Sequence, residues 1–138
     1  MKVREAMAKT VASARKSDKV IDVARKMKQE DAGFIPIVEN GGALVGVVTD
    51  RDIVIRCIAE GHDPRNETAE HLMSREVSII GPEDDIEQAA RLMERAEIRR
   101  LAVAENGRLV GVLSHGNLVQ ATKNKTAEKV TEGVTRGA

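Results

Sequence analysis

The sharpest chemical feature of the chain is Thr49-x-x-Asp52, set between two apolar runs. If Thr49 ends a strand and Asp52 lies in the first turn of the following helix, the carboxylate can accept hydrogen bonds from both hydroxyls of a ribose. The threonine hydroxyl can donate to a phosphate oxygen, and a helix N-terminus adds partial positive charge beside it. The same residues also spell a capping box, in which each side chain accepts from the other residue's backbone N–H. Spacing alone favours the cap, and both can hold at once. Ser114-x-x-Asn117 repeats the pattern without the charge. Asn117 offers one acceptor oxygen and an NH2 donor, so a plain cap is favoured there and any second site is the weaker one.

The remaining candidates are fewer. Ile98-Arg99-Arg100-Leu101 sends two arginines into an apolar strand, which is costly unless they find partners. A salt bridge to Asp52 or Glu97 would supply one. Arg51 reads as a solvated helix residue first and a ligand contact second. His62, His71 and His115 have neither H-x3-H nor H-E-x-x-H spacing, so no metal site is expected. Cys57 is the single cysteine, which excludes an intrachain disulfide, and it falls on an apolar helix face as a small buried residue. The chain has no P-loop, no G-x-G-x-x-G and no G-x-S-x-G. Nothing pairs a nucleophile with a base, so an enzyme is not expected.

The elements that must position these residues come in two copies. A shift of 66 carries Met7 onto Met73, Asp18 onto Asp84, Ala24-Arg25 onto Ala90-Arg91, and Glu39-Asn40-Gly41 onto Glu105-Asn106-Gly107. Past that turn the shift drops to 65, and Leu44-Val45-Gly46-Val47 matches Leu109-Val110-Gly111-Val112. A one-residue gap in a turn is what a true repeat tolerates. Each copy opens with a short helix (3–8; 69–74) and a short strand (10–14; 77–80). Next comes an amphipathic helix, with Val20, Val23, Ala24 and Met27, or Ile86, Ala89, Ala90 and Met93, in one stripe. Two strands follow as a hairpin, 34–39 with 44–49 and 100–105 with 108–114, turning at Asn40 and at Asn106-Gly107. A last helix closes each copy (50–59; 115–123). The reading gives domains at 1–60 and 69–123, a polar linker at 61–68, and a polar tail at 124–138. A copy of this size buries little surface alone. The two should therefore share a core in an α/β (α+β) fold with pseudo-two-fold symmetry, small mixed sheets flanked by helices, and a cleft where they meet.

Composition excludes several functions. Lys plus Arg and Asp plus Glu are each 22 among 138 residues, so the net charge is zero and no strong field draws nucleic acid or an anionic membrane. Phe34 is the only aromatic residue, which leaves no stacking platform for bases. No apolar run approaches the roughly 20 residues of a spanning helix, and no signal peptide is evident. A cytoplasmic protein is the expectation.

The ordered set Val-Arg-Glu-Ala-Met, strand, amphipathic helix, Gly33-Phe34-Ile35-Pro36-Ile37-Val38 and Leu44-Val45-Gly46-Val47-Val48-Thr49-Asp50-Arg51-Asp52-Ile53 resembles a cystathionine β-synthase (CBS) domain. Two in tandem resemble a Bateman module, over about 120 of the 138 residues, of the small stand-alone two-CBS type. The resemblance implies a regulatory module that binds an adenosyl compound (AMP, ADP, ATP or a relative) as ligand rather than cofactor. It implies that Thr49 and Asp52 hold ribose and phosphate. Val11, Ala12, Phe34, Ile35 and Pro36 would hold adenine, and Arg99 and Arg100 would reach a phosphate across the cleft. In copy two, Ala102 for Pro36 and Asn117 for Asp52 depart from the pattern. The resemblance also implies a homodimer and leaves room for an unidentified protein target. The alternative is a CBS pair that dimerises or docks on a partner without any ligand.

Overall fold

The computed structural model describes residues 1–124. Its elements are α1 (Val3–Ala6), α2 (Val20–Glu30), β1 (Phe34–Glu39), β2 (Ala43–Thr49), α3 (Asp50–Asp52) running into a π-helix (Ile53–Ile58), α4 (Ala69–Leu72), β3 (Ile79–Ile80), α5 (Ile86–Ala96), β4 (Arg100–Glu105) and β5 (Arg108–Ser114). A helix, α6, follows over 115–124. The predicted tail lies outside the described residues from 125 onward.

The predicted repeat is a structural one. In α2, Val20, Val23 and Met27 are buried; in α5, Ile86, Ala89 and Met93 are. Ala24 and Ala90 sit at the margins of the stripes and are not buried. Both helices end on a left-handed residue, Asp31 and Glu97. The hairpins have matching registers, Phe34 opposite Thr49 and Arg100 opposite Ser114, each with a bulge at the same place. Asn106 and Gly107 both take positive φ, as a tight two-residue hairpin turn requires. In copy one Asn40, Gly41 and Gly42 all do. The extra residue in that turn is where the repeat shift changes.

Two small sheets were expected, and the molecule joins them into one. The strand order is β1-β2-β5-β4-β3. The seam is the single pair Ala43–Arg108, held by Leu44 N–H to Gly107 O (2.9 Å) and Leu109 N–H to Gly42 O (3.0 Å).

The opening helices are exchanged. Val3 of α1 is fully buried in the copy-two core with Ile86, Leu101 and Leu113. Ala69 and Met73, at the start of copy two, belong to the copy-one core with Val23, Ile35 and Val48. Burial of a side chain like Val3 is worth about 1.5–3 kcal/mol, so each half completes the other. The segment after each opening helix must then cross back to its own copy. Ala8 pairs with Val112 of β5 and Ala14 with Ile37 of β1; Ser74 pairs with Val47 of β2, and Ile80 with Val103 of β4.

This crossing explains why the predicted strand over 10–14 shrinks to one bridge. Copy two keeps two ladder pairs, Ile79–Ala102 and Ile80–Val103. The copy-one equivalent of Ala102 is Pro36, which has no N–H to give to the ladder and lies on the edge strand β1.

The predicted helix over 50–59 is the other departure. It becomes a π-helix at Ile53–Ile58, with Ala59 N–H to Val54 O and His62 N–H to Cys57 O spanning five residues. The β-branched run Ile53-Val54-Ile55 is a poor α-helix former. Cys57 is buried as expected, while Val54, Ile55 and Ile58 are about half exposed. Among the described residues no helix is long and apolar enough to cross a membrane.

Candidate ligand-binding cleft

Because the crossing segments run from one copy to the other, residues between their two anchor points wall a cleft. The segment 76–78 walls a cleft of about 530 Å³, closed by Gly33, Phe34, Thr49, Asp50 and Arg51 from copy one and by Ile98, Arg99 and Arg100 from copy two. The segment 10–12 walls the equivalent cleft, about 230 Å³, with Phe34, Ile35, Arg100, Ser114 and Asn117. The first volume lies within the roughly 300–1,000 Å³ of small-molecule sites and the second lies below it.

Both capping boxes exist. Thr49 N–H donates to Asp52 Oδ2 (2.9 Å) and Asp52 N–H to Thr49 Oγ1 (3.2 Å). Ser114 N–H donates to Asn117 Oδ1 (3.0 Å) and Asn117 N–H to Ser114 Oγ (3.0 Å). The amide oxygen of Asn117 thus does the carboxylate's capping work, so the charge on Asp52 is not required for the cap. Asp52 is the one buried charged residue among those described, 8% exposed. Its Oδ1 lies 3.8 Å from Arg56 Nε, and it is not among the residues lining the cleft. Thr49 Oγ1 accepts from Asp52 N–H and keeps its own proton to donate.

The structure divides the residues predicted to act together. Thr49, Arg51, Arg99 and Arg100 line the larger cleft with Phe34. Val11 and Ala12 do not: they line the smaller one with Ile35, Ser114 and Asn117. Exchange of the opening helices is the reason, since it carries each crossing segment past the other copy's hairpin. The larger cleft receives instead Val77 and Ser78, the repeat equivalents of Val11 and Ala12. Pro36 lines neither cleft; it is buried in the core, its carbonyl accepting Ala14 N–H at 3.0 Å. Sequence reasoning missed Asp50, Glu76, Val77 and Ser78, although carrying Val11-Ala12 through the 66-residue shift points to the last two.

The electrostatics of the larger cleft are unbalanced. A salt bridge from Arg99 or Arg100 to Asp52 or Glu97, one of the two readings of these arginines, does not form. Asp52 turns to its cap and Arg56, and Glu97 serves as the left-handed cap of α5. Among the described residues the side chains of Arg51, Arg99 and Arg100 make no ion pair and no hydrogen bond, while Asp50 Oδ1 accepts the Arg51 backbone N–H. Three uncommitted guanidinium groups therefore face two carboxylates, Asp50 and Glu76, around one cavity.

The other titratable candidates lie elsewhere. His62 and His71 both bind Glu67, the former at 2.8 Å, and hydrogen bonding from His71, with smaller help from Thr68 and His62, lowers the Glu67 pKa. Among the described residues no three His, Cys, Asp or Glu side chains gather as metal ligands. His115 donates its backbone N–H to Arg99 O (2.7 Å) and lies on a groove of about 740 Å³ between α5 and α6, walled by Met93, Leu118 and Val119. Burial raises the Cys57 thiol pKa, with Glu67 and Asp63 adding to it.

Comparison with known proteins agrees with this geometry. The CBS domain family matches twice, at residues 3–58 and 69–124. The chain is 36% identical over 126 residues to the CBS domain-containing protein YhcV of Bacillus subtilis, covering 91% of this chain and 89% of that one. It superposes with TM-score 0.80 and 29% identity on Hypoxic Response Protein I, solved with two coordinated zinc ions, covering 87% of this chain and 98% of that one. It superposes equally well, TM-score 0.80 at 25% identity, on CBSX2 in complex with AMP, covering 91% and 98%. The chain therefore belongs to the CBS-domain family, as two CBS domains in tandem.

Proposed function

We propose that this CBS pair is a regulatory sensor that holds an adenosyl nucleotide of the AMP, ADP or ATP type in the Thr49 cleft. One observation carries the reading: Arg51, Arg99 and Arg100 line a single ligand-sized cavity with no carboxylate partner of their own. Guanidinium groups left so are matched to phosphate oxygens in charge and in fork geometry. The Thr49 hydroxyl adds a donor. Glu76 and Val77 lie outside the β3–β4 ladder and make no backbone–backbone hydrogen bond among the described residues, so their N–H and C=O groups are open to the edge of an adenine. Asp52 does not line the cleft, and its Oδ1, the oxygen outside the cap, is an acceptor only for ribose hydroxyls that reach past the cleft lining. That CBSX2, of the same fold, is seen with AMP supports the adenosyl class.

The sensor binds without turnover. Cys57, the one thiol, is buried and its pKa raised, the state of a structural cysteine and not of a nucleophile. It acts as a homodimer, paired through the exposed Val54, Ile55 and Ile58 of the π-helix, since an apolar patch of this kind calls for a cover. Light scattering at micromolar concentration should give twice the chain mass, and Ile55→Glu should return it to one.

A thermal-shift screen of AMP, ADP, ATP, S-adenosylmethionine, NAD-type cofactors and cyclic dinucleotides tests the function. A ligand at about 100 times its Kd stabilises the native state by about 2.7 kcal/mol. At least one adenine nucleotide should shift the wild type, and Arg99→Ala should reduce that shift. A folded protein that responds to no adenosyl compound at millimolar concentration would overturn the proposal.

A further inference from the structure

The two clefts share a wall. Phe34 and Arg100, which the 66-residue shift carries onto one another, line both cavities. Beyond that wall the clefts differ in charge. The Thr49 cleft adds Arg51 and Arg99 against Asp50 and Glu76. Among the residues lining the Ser114 cleft, Arg100 is the one cation and Glu30 the one carboxylate. The Arg100 side chain is half-buried and has no ion pair or hydrogen bond among the described residues, so none of them commits it to either side.

We infer that the clefts compete for Arg100. A phosphorylated ligand in the Thr49 cleft draws the guanidinium to its phosphate and leaves the Ser114 cleft with Glu30 and no cation. Affinity of the Ser114 cleft for a second anionic ligand then falls, and an uncharged adenosyl compound becomes its preferred occupant. This coupling rests on the proposal that the Thr49 cleft holds an adenosyl phosphate. As a linkage it is reciprocal, and such couplings typically amount to roughly 5–150-fold.

Calorimetric titration of the full chain with AMP and with adenosine tests it. The wild type should show one tight AMP step and a second at least about tenfold weaker. Ser78→Trp fills the Thr49 cleft and does not touch the other. The tight step should vanish, and the remaining AMP step should strengthen about five- to tenfold over the wild-type weak step. Arg99→Glu, at an exposed position that lines only the Thr49 side of the wall, offers Arg100 a permanent partner there. The Ser114-cleft step should then stay several-fold weaker than in Ser78→Trp, and Val77→Trp, which fills the same cleft, takes the place of Ser78→Trp if that variant does not fold. Adenosine should bind the AMP-saturated wild type as well as it binds the Ser114 cleft of Ser78→Trp.

A weak AMP step of equal strength in all three proteins would show independent clefts and overturn the inference while leaving the proposed function standing. So would the absence of any AMP step in Ser78→Trp, or adenosine being repelled as strongly as AMP. No AMP binding to the wild type, or a tight step that survives Ser78→Trp, would instead remove the proposed function and this coupling with it.

Discussion

The Thr49 and Ser114 clefts are built by the same device and equipped differently. Each has a crossing segment, a hairpin end and a capping box, in matching registers. Yet one holds three arginines and the other a single shared one. The difference lies at positions the scaffold leaves free: Gly33 against Arg99, Phe34 against Arg100, Arg51 against Gly116, Asp52 against Asn117. The positions that set geometry (Val23 and Ala89, Ile37 and Val103, Gly46 and Gly111) stay small or apolar in both copies. Duplication fixed the shape of two sites, and later substitution is free to make only one of them a phosphate site.

Removing the charge difference should have the largest effect. Arg99→Glu combined with Arg100→Glu replaces two attractive groups by two repulsive ones. With each charge-assisted contact worth about 1.5–3 kcal/mol, nucleotide affinity at the Thr49 cleft should fall by about a hundredfold or more. Calorimetry reads this, and an unchanged affinity would place the phosphate elsewhere.

The shared device can be broken one side at a time. A Cβ at Gly46 would lie 2.8 Å from Ser74 O and 2.9 Å from Met73 Sδ; at Gly111 it would lie 2.7 Å from both Ala8 O and Met7 Sδ. Each Gly→Ala should cost about 1–3 kcal/mol by overpacking. Gly46→Ala pushes the segment that walls the Thr49 cleft and should weaken tight binding. Gly111→Ala should lower the melting temperature as much and spare it. Equal losses of binding would mean that the crossing segments are not part of the site.

Asp52→Asn makes the copy-one box like the copy-two box. Because Asn117 shows that an amide sustains the cap, stability should change by less than about 0.5 kcal/mol. Affinity should fall about tenfold as the charged acceptor is lost. Lost stability with unchanged affinity would reduce Asp52 to a cap.

The smallest effects concern the two anchors. Glu67 holds α4 through His71, and Glu83 holds the start of α1 through Lys2 and Arg4. Hydrogen bonding from His71 and from Lys2 lowers the respective carboxyl pKa from its ordinary 4.5. A depressed folded-state pKa means stability that is present above the ordinary value and lost as pH falls through the lowered one. Glu67→Gln and Glu83→Gln should each lose less melting temperature than wild type between about pH 7 and about pH 3. Glu67 is mostly buried, but its partner His71 and the whole Glu83 cluster are exposed, so the change should be slight.

Much of this was legible in the chain. Both hairpins could be drawn from Asn-Gly and alternating apolar runs, both long helices from their stripes, and both capping boxes from Thr49-x-x-Asp52 and Ser114-x-x-Asn117, because these are local regularities. What was not legible is non-local. The opening helices over 3–8 and 69–74 could be placed, but a pattern does not say against which copy Val3 and Ala69 pack, and that choice decides whether Val11 or Val77 stands beside Thr49. The π-helix depends on how Cys57 and the β-branched run pack, not on any signal of its own. The freedom of Arg99 and Arg100 follows from Asp52 turning into its cap, which the spacing allowed and did not require.

The asymmetry of the two clefts is tested most directly by the stoichiometry of AMP binding to the wild-type chain, by calorimetry. The account predicts one tight site per chain, lost in Arg99→Glu combined with Arg100→Glu and kept in Asn117→Ala. Two equal tight sites per chain, or a tight site that Asn117→Ala removes, would contradict it.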